Sequence, residues 1–221
     1  VQTCALPIWR MGNAPATIDW LLTDSRSLNF PEETLFFALT TKRNDGARYI
    51  ADLYARGVRN FVLSEESFRL MDNGQLTIDN AMQRDDAQSI VNYLIVPNPL
   101  KALQKLAEQH RNRFQIPVIG ITGSNGKTVV KEWLHQLLSP ERAIIRSPRS
   151  YNSQIGVPLS VWQMNEQSEL AIFEAGISEP GEMRALQNII KPTIGILTNI
   201  GGAHQENFFS LQEKCMEKLT L

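Results

Sequence analysis

The chain has 221 residues, with 22 Lys plus Arg against 23 Asp plus Glu and a formal net charge of −1. Its 43% hydrophobic and 20% charged residues describe a globular chain, long enough for one large domain or two smaller ones. The balanced charge excludes a general polyanion binder, though not a local phosphate site, and no apolar stretch approaches the ~18 residues of a membrane span.

Residues 1–16 show neither helical nor strand period and hold two prolines and a glycine, so they are read as a disordered or non-native start. They lack the basic region and apolar run of a secretory signal. Strands are expected at Ile18–Thr23 and at Leu35–Leu39, the latter bounded by Pro31 and the polar turn Lys42–Gly46. Arg48–Arg56 reads as a helix, with Ile50, Leu53 and Tyr54 at helical spacing and Gly57 as its stop. Val58–Leu63 is a third strand, residues 64–89 are polar and weakly periodic, and Ser89–Val96 is a fourth strand ended by Pro97. This order predicts a small α/β domain over residues 17–97. Pro97-Asn98-Pro99 marks the boundary: Asn98 can cap a helix whose first turn holds Pro99. Leu100, Leu103, Leu106 and Ala107 stripe that helix to about Arg113, opening a second domain over 98–221.

Pro117–Thr122 is a β-branched run that fits a buried parallel strand. Gly123-Ser124-Asn125-Gly126-Lys127-Thr128 follows at once. Val130, Trp133, Leu134, Leu137 and Leu138 then fall on one helical face. Strand, glycine loop and helix are the setting of a phosphate loop. Glycines let backbone N–H groups approach phosphate oxygens, and the helix start adds partial positive charge. Lys127 would reach the β/γ-phosphates and the Thr128 hydroxyl would ligate Mg²⁺. The strict pattern needs Gly five positions before Gly126, where Ile121 stands. The competing reading is a glycine turn with a solvated Lys127.

Further on, Leu170–Phe173 is a strand that ends in Glu174, placed to take a magnesium ion bridging nucleotide phosphates or to act as a solvated or capping residue. Ile194–Thr198 is a buried-strand run followed by Asn199 and His204. Ser210–Leu221 reads as a helix with Leu211, Cys215 and Leu219 on one face and Lys214 and Lys218 beside it, solvated on the plain reading. Cys4 and Cys215 are far apart and in no metal-ligand spacing, which suits a reducing, cytoplasmic enzyme.

The loop Thr122–Thr128 resembles the phosphate loop of the Mur ligase family. Ser150–Pro158 (SYNSQIGVP), Glu174-Ala175-Gly176 through Gly181-Glu182-Met183, and Thr198-Asn199-Ile200-Gly201 with Ala203-His204 resemble that family's later blocks, in its order. Asp24-Ser25-Arg26, Leu35–Leu39 and Asp45-Gly46 resemble the uridine-diphosphate-sugar domain of the member that acts last in the cytoplasm. The wording of residues 21–39 and 147–162 is closest to its form fused to an alanine racemase. The likeness covers residues 18–221; Ala47 and Ser153 depart from the family's His and Asn.

The resemblance implies a UDP-sugar-binding domain followed by a truncated parallel-sheet domain binding ATP and Mg²⁺. It implies an amide ligase joining D-alanyl-D-alanine to UDP-N-acetylmuramoyl-tripeptide through an acyl phosphate. Gly123, Ser124, Asn125, Gly126, Lys127, Thr128 and Asn199 would hold the nucleotide. Thr128, Glu174 and His204 would hold metal, and Lys127, Glu174, His204 and a carbamylated Lys218 would be catalytic. Asp24, Ser25, Arg26, Thr41, Asp45 and Asn152 would contact substrate, with Lys42 and Arg43 adding charge beside Thr41. Ending at Leu221, the chain is expected to be an inactive N-terminal fragment that lacks a further ligase domain. Another amino-acid ligase of the superfamily and a non-catalytic nucleotide-binding module remain as alternatives. A GTPase ranks last, for want of a guanine-reading NKxD segment.

Overall fold

The computed structural model describes residues 9–11, 15–41, 45–72, 91–201 and 207–221. The chain divides into two compact units, Val1–Ala102 and Leu103–Leu221. Among the described residues, no helix is long and apolar enough to cross a membrane.

In the first unit a five-stranded sheet runs in the order β1-β5-β4-β3-β2. Its strands are β1 (Trp9–Met11), β2 (Trp20–Leu22), β3 (Thr34–Phe37), β4 (Asn60–Ser64) and β5 (Asn92–Val96). Strands β2 to β5 are parallel, with Leu35 opposite Asn60 and Phe61 opposite Tyr93. Parallel neighbours need crossovers, and α1 (Ile50–Ala55) and α2 (Glu65–Asp72) lie in two of them. The core gathers Phe36, Ile50, Leu53, Phe61 and Leu63, with Phe36 and Phe61 edge to face at 6.4 Å.

Three expectations change here. Trp9–Met11, read as patternless, pairs antiparallel with β5 in the register Trp9 to Ile95. Three residues are too few to show an alternation, and an edge strand is held by its backbone. The helix expected over Arg48–Arg56 begins as a 3₁₀ turn, Gly46–Tyr49, because the Asp45 side chain accepts the Ala47 N–H at 2.9 Å and caps it. Within the polar stretch 64–89, Glu65–Asp72 is helical; residues 73–90 lie outside the described residues.

Asn98 caps α3 (Pro99–Arg111), accepting the Lys101 N–H at 2.9 Å. The second unit holds a four-stranded, all-parallel sheet in the order β7-β8-β6-β9. It comprises β6 (Val118–Thr122), β7 (Ile144–Arg146), β8 (Leu170–Glu174) and β9 (Ile194–Leu197). Alternate residues of each strand face opposite sides. Ile119, Ile121, Leu170 and Ile172 face Val130, Leu134 and Leu138 of α4 (Lys127–Leu138). Val118, Ala171 and Phe173 face Val157 and Val161 of α5 (Gly156–Val161) and Met183 and Leu186 of α6 (Glu182–Ile190). A Val, Leu, Ile, Phe or Met side chain among them contributes about 1.5–3 kcal/mol when fully buried. Helices on both faces of a parallel sheet make the doubly wound arrangement, in which ligands collect at the carboxyl ends of the strands.

Three apolar stripes are not buried as expected. On α4, Trp133 and Leu137 are exposed, since the sheet takes only the Val130–Leu134–Leu138 side. Strand β9 lies at the sheet edge, and its Ile194 and Leu197 are exposed rather than buried. On α7 (Leu211–Lys218), Leu211 and Leu219 are exposed while Lys214 and Lys218 are buried. The helix is turned so that its lysines meet backbone carbonyls. Its Glu217 accepts the Met183 N–H at 2.9 Å, near the start of α6.

Candidate functional site

Gly123–Gly126 joins the carboxyl end of β6 to the first turn of α4. Gly123 has φ +140° and Gly126 has φ +83°, conformations that side chains rarely adopt. A Cβ at Gly123 would also fall 1.9 Å from Thr198 Oγ1. The loop is braced from the end of β9. Asn199 accepts the Ser124 N–H through its carbonyl at 2.9 Å and the Asn125 N–H through Oδ1 at 2.8 Å. The Thr198 hydroxyl donates to Asn125 O, and Ser124 Oγ accepts the Gly201 N–H at 2.9 Å. Asn199, expected at the nucleotide, is here a brace of the loop. The first N–H groups of α4, at Lys127 and Thr128, have no acceptor within the helix, so they and the helix dipole form a seat for an anion.

Three lysines close on this loop. Lys127 Nζ donates to Gly123 O at 2.7 Å. Burial pushes its ammonium down from the usual lysine value, and the Glu174 carboxylate offsets part of that. Lys218 Nζ lies 3.4 Å from the same oxygen. Burial first, then the charges of Lys127 and Lys214, push Lys218 down to about 8. Lys214 Nζ donates to Gly201 O at 2.6 Å. Two of the three were read as solvated; the carbonyls of the loop and its brace draw them inward.

Glu174 ends β8 and is fully buried. Its Oε2 accepts from the Thr128 hydroxyl at 3.1 Å, which joins the carboxylate to the first turn of α4. Its N–H donates to Ser147 Oγ at 3.1 Å. Its Oε1 faces Lys131 Nζ at 2.9 Å in an ion pair that lacks hydrogen-bond alignment, leaving this buried oxygen without a hydrogen-bond partner. A buried anionic oxygen and a hydroxyl beside a phosphate seat fit magnesium, which prefers oxygen and is held by few protein groups plus phosphate oxygens. Among the described residues there is no group of three or more His, Cys, Asp or Glu that could hold a metal by itself. His204 lies outside the described residues.

Asn152 meets the turn after β8. Its carbonyl accepts the Gly176 N–H at 2.8 Å, and its side chain lies close over Gly176. Ser150 Oγ lies 3.4 Å from Thr128 Oγ1. The structure thus brings Lys127, Thr128, Glu174 and Lys218 together around one loop and ties Asn152 to the turn beyond Glu174.

The remaining candidates belong to the first unit. Arg26 grips Asp24 with Nε at 2.9 Å and Nη2 at 2.6 Å, and this pairing holds the Asp24 carboxyl below its ordinary value. Arg56 donates to Ser25 O at 2.8 Å, fixing the turn. Asp45 accepts from Ala47 N–H and from Ser67 Oγ at 3.0 Å, so its carboxylate is committed to local structure. Thr41 is exposed; Lys42 and Arg43 lie outside the described residues.

Sequence reasoning missed Lys131, Ser147 and the burial of Lys214. A lysine on an amphipathic helix reads as solvated, and nothing in its neighbours signals a buried carboxylate reached from another strand. The one available hint was spacing: Lys131 stands one turn after Lys127, beside Val130 and Leu134 of the buried stripe.

Residues 121–221 match the family described as Mur ligase middle domain. A UDP-N-acetylmuramoyl-tripeptide–D-alanyl-D-alanine ligase from Borreliella burgdorferi is 34% identical over 208 residues, covering 93% of this chain and 43% of the relative. The corresponding Bacillus subtilis ligase is 29% identical over 92% of this chain and 40% of its own length. A crystal structure of MurF from Acinetobacter baumannii superposes with a TM-score of 0.76 at 28% identity, covering 94% of this chain and 42% of that one. A MurF ligase from Thermotoga maritima in complex with ADP gives 0.71 at 25% identity, over 91% of this chain and 42% of that one. The chain therefore spans about two fifths of the length of the relatives it matches.

Proposed function

From the match of residues 121–221 to the Mur ligase middle domain, we propose that this chain supplies the UDP-sugar-binding domain (17–97) and the ATP-binding domain (98–221) of a cytoplasmic amide ligase. The reaction joins D-alanyl-D-alanine to UDP-N-acetylmuramoyl-tripeptide. ATP phosphorylates the terminal carboxylate of the tripeptide, giving an acyl phosphate and ADP. The amine of D-alanyl-D-alanine then attacks that carbonyl and expels phosphate.

Phosphoryl transfer of this kind needs phosphates held in line and their growing charge offset. The loop binds the phosphates by the N–H groups of Lys127 and Thr128 at the helix start and by the Lys127 ammonium. Thr128 and Glu174, with His204, would hold magnesium, which when bound offsets phosphate charge. Lys218 is the lysine to which the family resemblance gives carbamylation, and an amine pushed to about 8 is nucleophilic near neutral pH, which supports that role. Asp24, Ser25, Arg26 and Thr41 contact the nucleotide sugar. Asp45 shapes their neighbourhood, and Asn152 orients substrate. The wording of residues 21–39 and 147–162 supports kinship with the racemase-fused form.

The observation that carries the proposal is the hydrogen bond between Thr128 and Glu174, which couples a phosphate seat to a buried carboxylate. Calorimetry with ADP tests the seat, and saturable binding strengthened by magnesium is expected. The acceptor is tested in the ligase itself. UDP-muramoyl-tripeptide is expected to yield the D-alanyl-D-alanine adduct, and product from folate or from a shorter muramoyl peptide instead would favour another ligase of the superfamily.

A further inference from the structure

Lys131 is fully buried, one turn after Lys127 on α4. Its ammonium donates to Ser147 O at 2.8 Å and to Arg149 O. It lies 2.9 Å from Glu174 Oε1 and 3.1 Å from Glu132 Oε1. Glu132 is also held by Arg146, at 3.0 Å. An ammonium has three hydrogens. With two directed at carbonyls, its position is set by the Ser147–Arg149 backbone, and Glu174 meets it as a fixed point charge. Arg149 has φ +51°, a left-handed conformation uncommon outside glycine, so the Lys131 contact falls at a strained turn.

The consequence lies in how Glu174 is aimed. Thr128 holds Oε2 and Lys131 faces Oε1, and the two stand three residues apart on α4. The helix that starts at the phosphate seat therefore grips both oxygens of the carboxylate that would take the metal. We infer that Lys131 is a positioning residue for the metal site: through its charge contact with Oε1 it fixes the orientation in which Glu174 is presented to a divalent cation bound with the nucleotide. The inference rests on the proposed reading of this site as one for nucleotide and magnesium.

The test measures ADP affinity of the chain by calorimetry, with and without magnesium, in wild type, Lys131→Met, Lys131→Gln, Glu174→Gln and Lys131→Met/Glu174→Gln. A partner that orients a metal ligand typically matters 10–100-fold in metal affinity, so the magnesium-dependent gain in ADP affinity is expected to fall by at least ~10-fold in Lys131→Met. Magnesium-free ADP affinity should stay within about threefold of wild type, because the amide seat is untouched. The double variant should lose no more of the gain than Glu174→Gln alone, since Lys131 acts through that carboxylate. Lys131→Gln, which keeps N–H donors for the two carbonyls but brings no charge, decides the matter if Lys131→Met does not fold. An unchanged magnesium gain in a folded Lys131 variant overturns the inference, as does an additive loss in the double variant or an equal loss of magnesium-free affinity. Wild type with no magnesium gain overturns the reading of the site itself, and the inference with it.

Discussion

Lys127 and Lys218 converge on one oxygen, the carbonyl of Gly123, at 2.7 and 3.4 Å from two different helices. Burial pushes both ammoniums below the ordinary lysine value, Lys127 being half-buried and Lys218 buried, and at Lys218 the charges of Lys127 and Lys214 add to it. The folded state thus binds its Lys218 proton more weakly than the unfolded chain does. Its stability rises as pH climbs from about 8 toward 10.5, and below 8 the charged amine costs its full penalty. Lys218→Met should raise stability at pH 7 by up to on the order of 3 kcal/mol, less any packing loss, and flatten the slope above pH 8. Urea unfolding at pH 7, 8.5 and 10 checks this; an unchanged slope contradicts it.

Lys127→Ala removes a charged donor beside the anion seat and leaves the amides in place. Charged hydrogen bonds contribute about 1.5–3 kcal/mol, so ADP should bind ~10–100-fold more weakly. Calorimetry reads it directly. Intact affinity would make the loop a structural turn.

Gly123→Ala places a methyl group 1.9 Å from Thr198 Oγ1 on a backbone at φ +140°. We expect a loss of at least about 2 kcal/mol from strain and overlap. Adding Thr198→Ala should return part of it, because the 1.9 Å overlap is removed while the close approach to the Asn199 backbone at 3.1 Å and the dihedral strain stay. Thermal unfolding of the single and double variants distinguishes the two contributions.

Asp45→Ala should destabilise the first unit by about 1–2 kcal/mol, since a cap to Ala47 N–H and a bond from Ser67 are lost together. Asp24→Ala loses an exposed ion pair with Arg26 and an exposed cap bond from the Arg26 N–H at 3.1 Å, so it should cost less stability than Asp45→Ala, under about 1 kcal/mol, and should weaken UDP-sugar binding. Chemical denaturation and a UDP-sugar binding assay separate these roles. A stability loss at Asp24 as large as that at Asp45 would count against the assignment.

Strong periodicity made much of this legible. Strands β3 to β6 and β8, the capped α3, and the strand–loop–helix around Lys127 stand within a few residues of where the sequence puts them. Glu174 was found at a strand end because sheet topology makes that position special. The burial of Lys131, Lys214 and Lys218 is opaque in the sequence, since the forces that bury a lysine come from carbonyls and carboxylates remote in the chain. Strand β1 was invisible because three backbone-held residues leave no pattern. The exposed Trp133 and Leu137 show the converse: an apolar stripe names a face without naming what covers it.

Glu217 and Lys218 are adjacent in α7, yet they serve different neighbours. One accepts from the Met183 amide, and the other reaches the carbonyl of Gly123. The helix is therefore a lever with two loads. It ties the phosphate loop to the start of α6, beside the Ser178–Glu182 turn, where Glu182 holds two amides at 2.6 and 3.0 Å. Hydrogen exchange at Ser178, Glu179 and Met183 would report events at the nucleotide pocket before any catalysis is measured.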